Sequence, residues 1–153
     1  MDRVKDKVAI VTGGASGIGE ATARLLAAEG AKVAVTDIKE GNGVRVASEI
    51  QNAGGTASFW RLDVTKEKEI EQVFADIVTK FNKLDILVNS AGIPGGSMGT
   101  HETSTELWDK VMDINAKGTF LCNKYAIPYM LKNKGGSVIN ISSMLGLMGG
   151  MDP

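Results

Sequence analysis

The chain has 153 residues, 43% of them hydrophobic and 23% charged, with a formal net charge of -1, which is the length and balance of one globular domain. So little net charge gives no electrostatic case for nucleic acid or an anionic membrane, and Cys122, the single cysteine, rules out an intrachain disulfide. No apolar run approaches the ~20 residues of a membrane helix, and the charges at Asp2, Arg3, Lys5, Asp6 and Lys7 leave no room for a signal peptide, so a cytoplasmic location is expected.

The pattern alternates strand and helix from end to end, as in a parallel sheet covered on both faces. Val8 to Val11 reads as a strand buried on both sides. Glycines follow at 13, 14, 17 and 19, then an Ala/Leu-rich helix from Glu20 to Glu29 with Gly30 as its cap. Strand, glycine turn and helix set bare backbone N–H groups and a positive helix end beside a phosphate. Alone, such a turn fits a ligand-free strand-to-helix corner as well. Lys32–Thr36 is the second strand, Val44–Asn52 the second helix and Ala57–Leu62 the third strand. Thr65 reads as the cap of a helix over Lys66–Phe81, with Ile70, Val73, Phe74 and Ile77 on its inner face.

Asp85–Val88 is the fourth strand, closed by Asn89-Ser90-Ala91-Gly92. A glycine-rich loop leads to Thr103-Ser104-Thr105-Glu106, which reads as a capping box opening a long helix to Lys132. Pro128 inside it predicts a kink or break. Ser137–Ile141 is the fifth strand, followed by Ser142, Ser143 and a Met- and Gly-rich tail. No metal-ligating pattern is assigned.

Thr12 to Gly19 fits Thr-Gly-x-x-x-Gly-x-Gly at every fixed position, and on it the chain resembles the short-chain dehydrogenase/reductase family. Asn89-Ser90-Ala91-Gly92 resembles that family's Asn-Asn-Ala-Gly, with Ser90 the departure, and the surroundings of Asn115 and the pair Ser142-Ser143 resemble later family motifs. The resemblance implies an α/β, doubly wound parallel sheet of Rossmann type in the order 3-2-1-4-5. Residues 1–153 would form a single NAD-binding domain, incomplete and truncated at its C-terminal edge. It implies NAD-dependent hydride transfer between a secondary alcohol and a ketone, with a small-molecule substrate and neither nucleic acid nor membrane as partner.

The implied cofactor-binding residues are Gly13, Ser16, Gly17, Ile18, Gly19, Asp37, Asp63, Val64, Asn89 and Gly92. Asp37, 18 residues beyond Gly19, can accept both ribose hydroxyls and repel a 2′-phosphate. No Arg or Lys stands at Ala15 or Ser16 to receive that phosphate, which favours NAD over NADP. Asp63 and Val64 would bracket the adenine. Ser143 is the implied catalytic serine, donating to the substrate oxygen, and the Asn115 backbone carbonyl would hold a relay water. The family's Tyr, with a Lys four residues on, has no counterpart here. Tyr125 and Tyr129 precede the fifth strand, Tyr129 has Asn133 four residues on, and both read as packing residues. His101 is a poor substitute. The expectation is a chain that binds NAD weakly and turns over little or nothing. It would expose an apolar edge strand at 137–141 and associate through the long helix around 104–132. The alternatives are a non-catalytic dinucleotide-binding or dimer-partner module, and a fragment that does not fold.

Overall fold

A computed structural model describes residues 2–96 and 98–144; the tail expected after Ser143 lies, from residue 145 on, outside them. β1 (Val8–Thr12) is buried along its whole length and divides its side chains between two cores by simple alternation. Ala9 and Val11 join Val33 and Val35 of β2 (Lys32–Asp37) and Ile86 and Val88 of β4 (Ile86–Asn89). Against this face pack Ala23 and Ala27 of α1 (Gly17–Ala28) and Val46, Ala47 and Ile50 of α2 (Glu40–Asn52). Ile10, Ala34 and Leu87 point the other way. They meet Ile70, Phe74 and Ile77 of α3 (Glu67–Phe81) and Leu121, Ala126 and Met130 of α5 (Thr119–Lys132).

With β3 (Thr56–Arg61) and β5 (Ser137–Asn140), the strands form one parallel sheet in the order β3-β2-β1-β4-β5. This is the doubly wound Rossmann-type arrangement that the sequence led us to expect. Strand order reverses beside β1, so the carboxyl ends of β1 and β4 open a crevice between their loops. All four residues of β5 are exposed.

The expected elements are present with shifted ends. α1 absorbs Gly17–Gly19, because the Ser16 carbonyl already accepts the Glu20 N–H. α2 starts at Glu40 rather than Val44. A Cβ at Gly43 would lie 2.1 Å from the Phe59 ring, so the glycine lets α2 lie against β3. Thr65 does not cap α3. Its N–H and hydroxyl are both given to Asp63 Oδ1, at 2.9 and 2.7 Å, and the helix opens after Lys66. α4 (Thr105–Val111) is capped by Ser104, whose Oγ accepts the Leu107 N–H, while the Thr103 hydroxyl donates to the Gly99 carbonyl.

The long helix is three pieces: α4, a π-helical segment Met112–Gly118, and α5. The break predicted at Pro128 is not there. Pro128 is solvent-exposed, so the Lys124 carbonyl that loses its partner can be hydrated. The irregularity sits upstream, where Gly118 comes so close to Val64 that a Cβ would lie 2.8 Å from its Cγ2.

Candidate active site

A cleft of about 710 Å³ opens at the carboxyl ends of the strands, within the ~300–1,000 Å³ usual for small-molecule sites. Gly13, Ser16, Gly17 and Ile18 form one rim, Asp37 and Asp63–Val64 the floor beyond β2 and β3, and Gly92, Asn115 and Ser142–Ser143 the other rim. Ten of the twelve site residues expected from sequence therefore share one cavity.

The glycine turn shows a separate job for each glycine. Gly13 has φ +65°, and a Cβ would stand 2.8 Å from the Ala91 backbone, so the turn presses against the loop after β4. Gly17 has φ +52° with nothing within 4 Å of where a Cβ would be, leaving open space at the start of α1. Ser16 makes no side-chain capping bond there, and a helix start without a capping side chain keeps donors for an anion. Gly19 does not line the cleft. Its Cβ would fall 2.2 Å from the Gly13 carbonyl oxygen, so its role is to let the helix close over the turn.

Asp37 is 9% exposed. Its Oδ2 accepts the Ala15 N–H at 3.1 Å and its Oδ1 the Lys39 N–H at 2.9 Å. At Asp63, burial pushes the carboxyl up, but the Thr65 hydroxyl and N–H, with Lys66 and Arg61 nearby, outweigh it and hold the group below the ordinary aspartate range. It is an anion and an acceptor at neutral pH.

Asn89 lies off the cleft. Its Nδ2 donates to Asn123 Oδ1 and Asn140 Oδ1, both at 2.8 Å, joining β4, α5 and β5 behind the serine rim. Its own Oδ1 is buried with no partner among the described residues, the kind of orphan an internal water satisfies. Asn115 clamps the loop: Nδ2 donates to the Ile93 carbonyl and Oδ1 accepts the Ile93 N–H, each at 2.9 Å. The Asn115 carbonyl accepts the Thr119 hydroxyl at 2.8 Å.

Thr12 was legible only as a motif position. Its buried Oγ1 accepts the N–H groups of Ser90 and Ala91, both at 3.2 Å, and so seats the β4 loop against Gly13. Among the described residues the lining holds no tyrosine or histidine. Tyr125 and Tyr129, both on α5, pack half-buried against the core, and His101 stands in a 3₁₀ turn, Thr100–Glu102, outside the lining.

The profile of the short chain dehydrogenase family matches residues 7–152. The chain belongs to that family. An uncharacterized oxidoreductase of Thermotoga maritima is 46% identical over 144 residues, covering 94% of this chain and 56% of the relative. The 2,5-dichloro-2,5-cyclohexadiene-1,4-diol dehydrogenase LinX of Sphingobium indicum is 45% identical over 148 residues, covering 95% and 58%. The cis-4-hydroxycyclohexanecarboxylate dehydrogenase of Sinomonas cyclohexanicum is 41% identical, covering 94% and 57%. The crystal structure of gox2181 superposes with a TM-score of 0.95 at 31% identity, covering 98% of this chain and 58% of that one. The chain thus spans a little over half the length of the relatives it matches. Among the described residues, no helix is long and apolar enough to cross a membrane.

Proposed function

We propose that this chain is the NAD-binding portion of an oxidoreductase that moves a hydride between a secondary alcohol and a ketone. The single supporting observation is the cleft itself, which gathers an uncapped helix start, a buried acid at the end of β2 and a serine pair beyond β5. The open space at Gly17 fits a diphosphate lying on the first turn of α1, and Asp37 fits the adenosine ribose. Asp63 and Val64 would hold the adenine end, with the Asp63 carboxylate available as an acceptor. NAD, when bound, supplies the hydride acceptor. Ser143 donates a hydrogen bond to the substrate oxygen as its charge changes, Asn115 fixes the loop at Gly92 and its carbonyl holds the relay water, and Asn89 supports the sheet behind them. The relatives named for a cyclohexadienediol and a hydroxycyclohexanecarboxylate fit a secondary alcohol as the substrate class. The cytoplasm is the proposed location.

Calorimetric titration of the chain tests the reading. NAD binds and NADP binds at least tenfold more weakly; a cleft empty at millimolar NAD overturns it. With no lining tyrosine among the described residues, turnover of secondary alcohols by the 153-residue chain is expected to be negligible. Robust turnover would show that another group moves the proton.

A second reading, a non-catalytic module that pairs with a further copy through residues 104–132, is favoured by one observation. Trp108, Phe120 and Leu131 are 60%, 62% and 72% exposed along that stretch. A solitary monomer in light scattering removes it.

A further inference from the structure

Two consecutive amides of the glycine turn are sewn to the end of β2. The Gly14 N–H donates to the Thr36 carbonyl at 3.0 Å, and the Ala15 N–H donates to the Asp37 carboxylate at 3.1 Å. Ala15 is fully buried, so in the folded chain its N–H depends on this acceptor. The second carboxylate oxygen holds the Lys39 N–H, and the Asp37 carbonyl accepts the Leu62 N–H at 3.0 Å, which ties the same residue to the end of β3. A carboxylate has about four acceptor sites. Two serve the backbone here, one on each oxygen, and Asp37 also lines the cleft.

We infer that Asp37 is a positioning residue for the glycine turn: its carboxylate holds the Ala15 amide, and with it the loop between Gly13 and Gly17, in place before any dinucleotide arrives. The consequence for binding rests on the NAD reading above; the anchor itself does not. If Asp37 only read the sugar, replacing it with serine would weaken NAD, relieve the repulsion of a 2′-phosphate and strengthen NADP. As an anchor, its loss unseats the turn that both dinucleotides share, so Asp37→Ser weakens both. Asp37→Asn is isosteric but turns an amide N–H₂ toward one of two backbone donors, so one of the two bonds must fail.

The test is amide hydrogen exchange by NMR on the dinucleotide-free chain, with calorimetric titration of NAD and NADP. In Asp37→Ser, Ala15 exchange rises at least tenfold while Gly14, whose acceptor is a carbonyl, keeps its protection; both affinities fall at least tenfold. Unchanged Ala15 protection, or a gain in NADP affinity, overturns the anchor. Should the variant not fold, the wild-type chain answers alone. A scalar coupling across the hydrogen bond between the Ala15 nitrogen and the Asp37 side-chain carboxyl carbon supports the anchor, and its absence overturns it. A wild-type chain that shows the coupling and binds no NAD sinks the functional reading and leaves the anchor standing.

Discussion

The two rims of the cleft are built differently. The glycine-turn rim is braced on several sides: Gly13 against Ala91 of the loop after β4, Gly19 against Gly13, Gly14 and Ala15 hydrogen-bonded to the end of β2. The serine rim hangs from β5, whose four residues are all exposed, and Ile141, Ser142 and Ser143 beyond it are exposed as well. Among the described residues, nothing covers the outer edge of that strand. The dinucleotide side is therefore braced by β2 and by the loop after β4, whereas β5, the strand that leads to Ser143, pairs with β4 along one edge and is tied to it by the Asn89–Asn123–Asn140 bonds.

The sharpest way to break this contrast is Gly19→Ala. With a Cβ only 2.2 Å from a backbone oxygen, the turn must move, and overpacking of this kind costs about 1–3 kcal/mol or more. NAD binding falls below detection in calorimetry, and the urea midpoint drops. Gly41→Ala is the control: it lies in α2 with nothing within 4 Å, and the gain in helix propensity stabilises by up to ~1 kcal/mol. Equal effects of the two variants would refute the claim that the glycine turn is close-packed.

Asp85 spans both halves from the far end of the sheet. Its Oδ2 accepts the Val8 N–H at 2.9 Å, and its backbone carbonyl accepts the Ser137 N–H at 2.8 Å. Asp85→Ala leaves the buried Val8 amide without its acceptor, a loss of ~1–3 kcal/mol measurable by chemical denaturation. Burial pushes the Asp85 carboxyl up, but the Val8 N–H, Lys83 and Lys7 together hold it below the ordinary range. A folded-state value under the unfolded one means that the stabilisation is complete above about pH 4 and is lost as pH falls through the folded value. The stability gap between wild type and Asp85→Ala therefore narrows in acid; a constant gap from pH 7 to pH 2 would show that the charge contributes nothing.

The strands were legible because each buried one is a continuous apolar run, and the glycine turn because its spacing is dictated by backbone contact. Helix ends were less so. Thr65 and Thr103 both look like caps, and only the folded loops decide that one is drawn to Asp63 and the other to Gly99. The π-helical turn left no trace either, since Met112–Gly118 has no periodicity distinct from an α-helix over seven residues. Thr12 and the backbone bonds of Asp37 depend on where three separate loops meet, which no local pattern encodes.

Asn115 probes the weaker rim directly. Asn115→Ala removes both bonds to Ile93 at an exposed site, a change of about 1 kcal/mol in stability. Ile93 amide exchange speeds up, and NAD affinity falls a few-fold through the loop at Gly92. Unchanged Ile93 exchange in Asn115→Ala would show that the side chain does not hold this loop.

The smallest expected effect lies on the outer surface. Leu131 is 72% exposed and Ile139 on β5 is 40% exposed, so Leu131→Lys and Ile139→Thr remove little buried apolar area from this chain. Stability of the dilute monomer then shifts within about 0.5 kcal/mol. If the exposed helix and edge strand meet a second copy, the mass measured by light scattering falls in these variants while unfolding of the dilute protein does not change. A stability loss above 1 kcal/mol with unchanged mass would mean that the chain buries these side chains itself, and the asymmetry between the rims would be wrong at its simplest point.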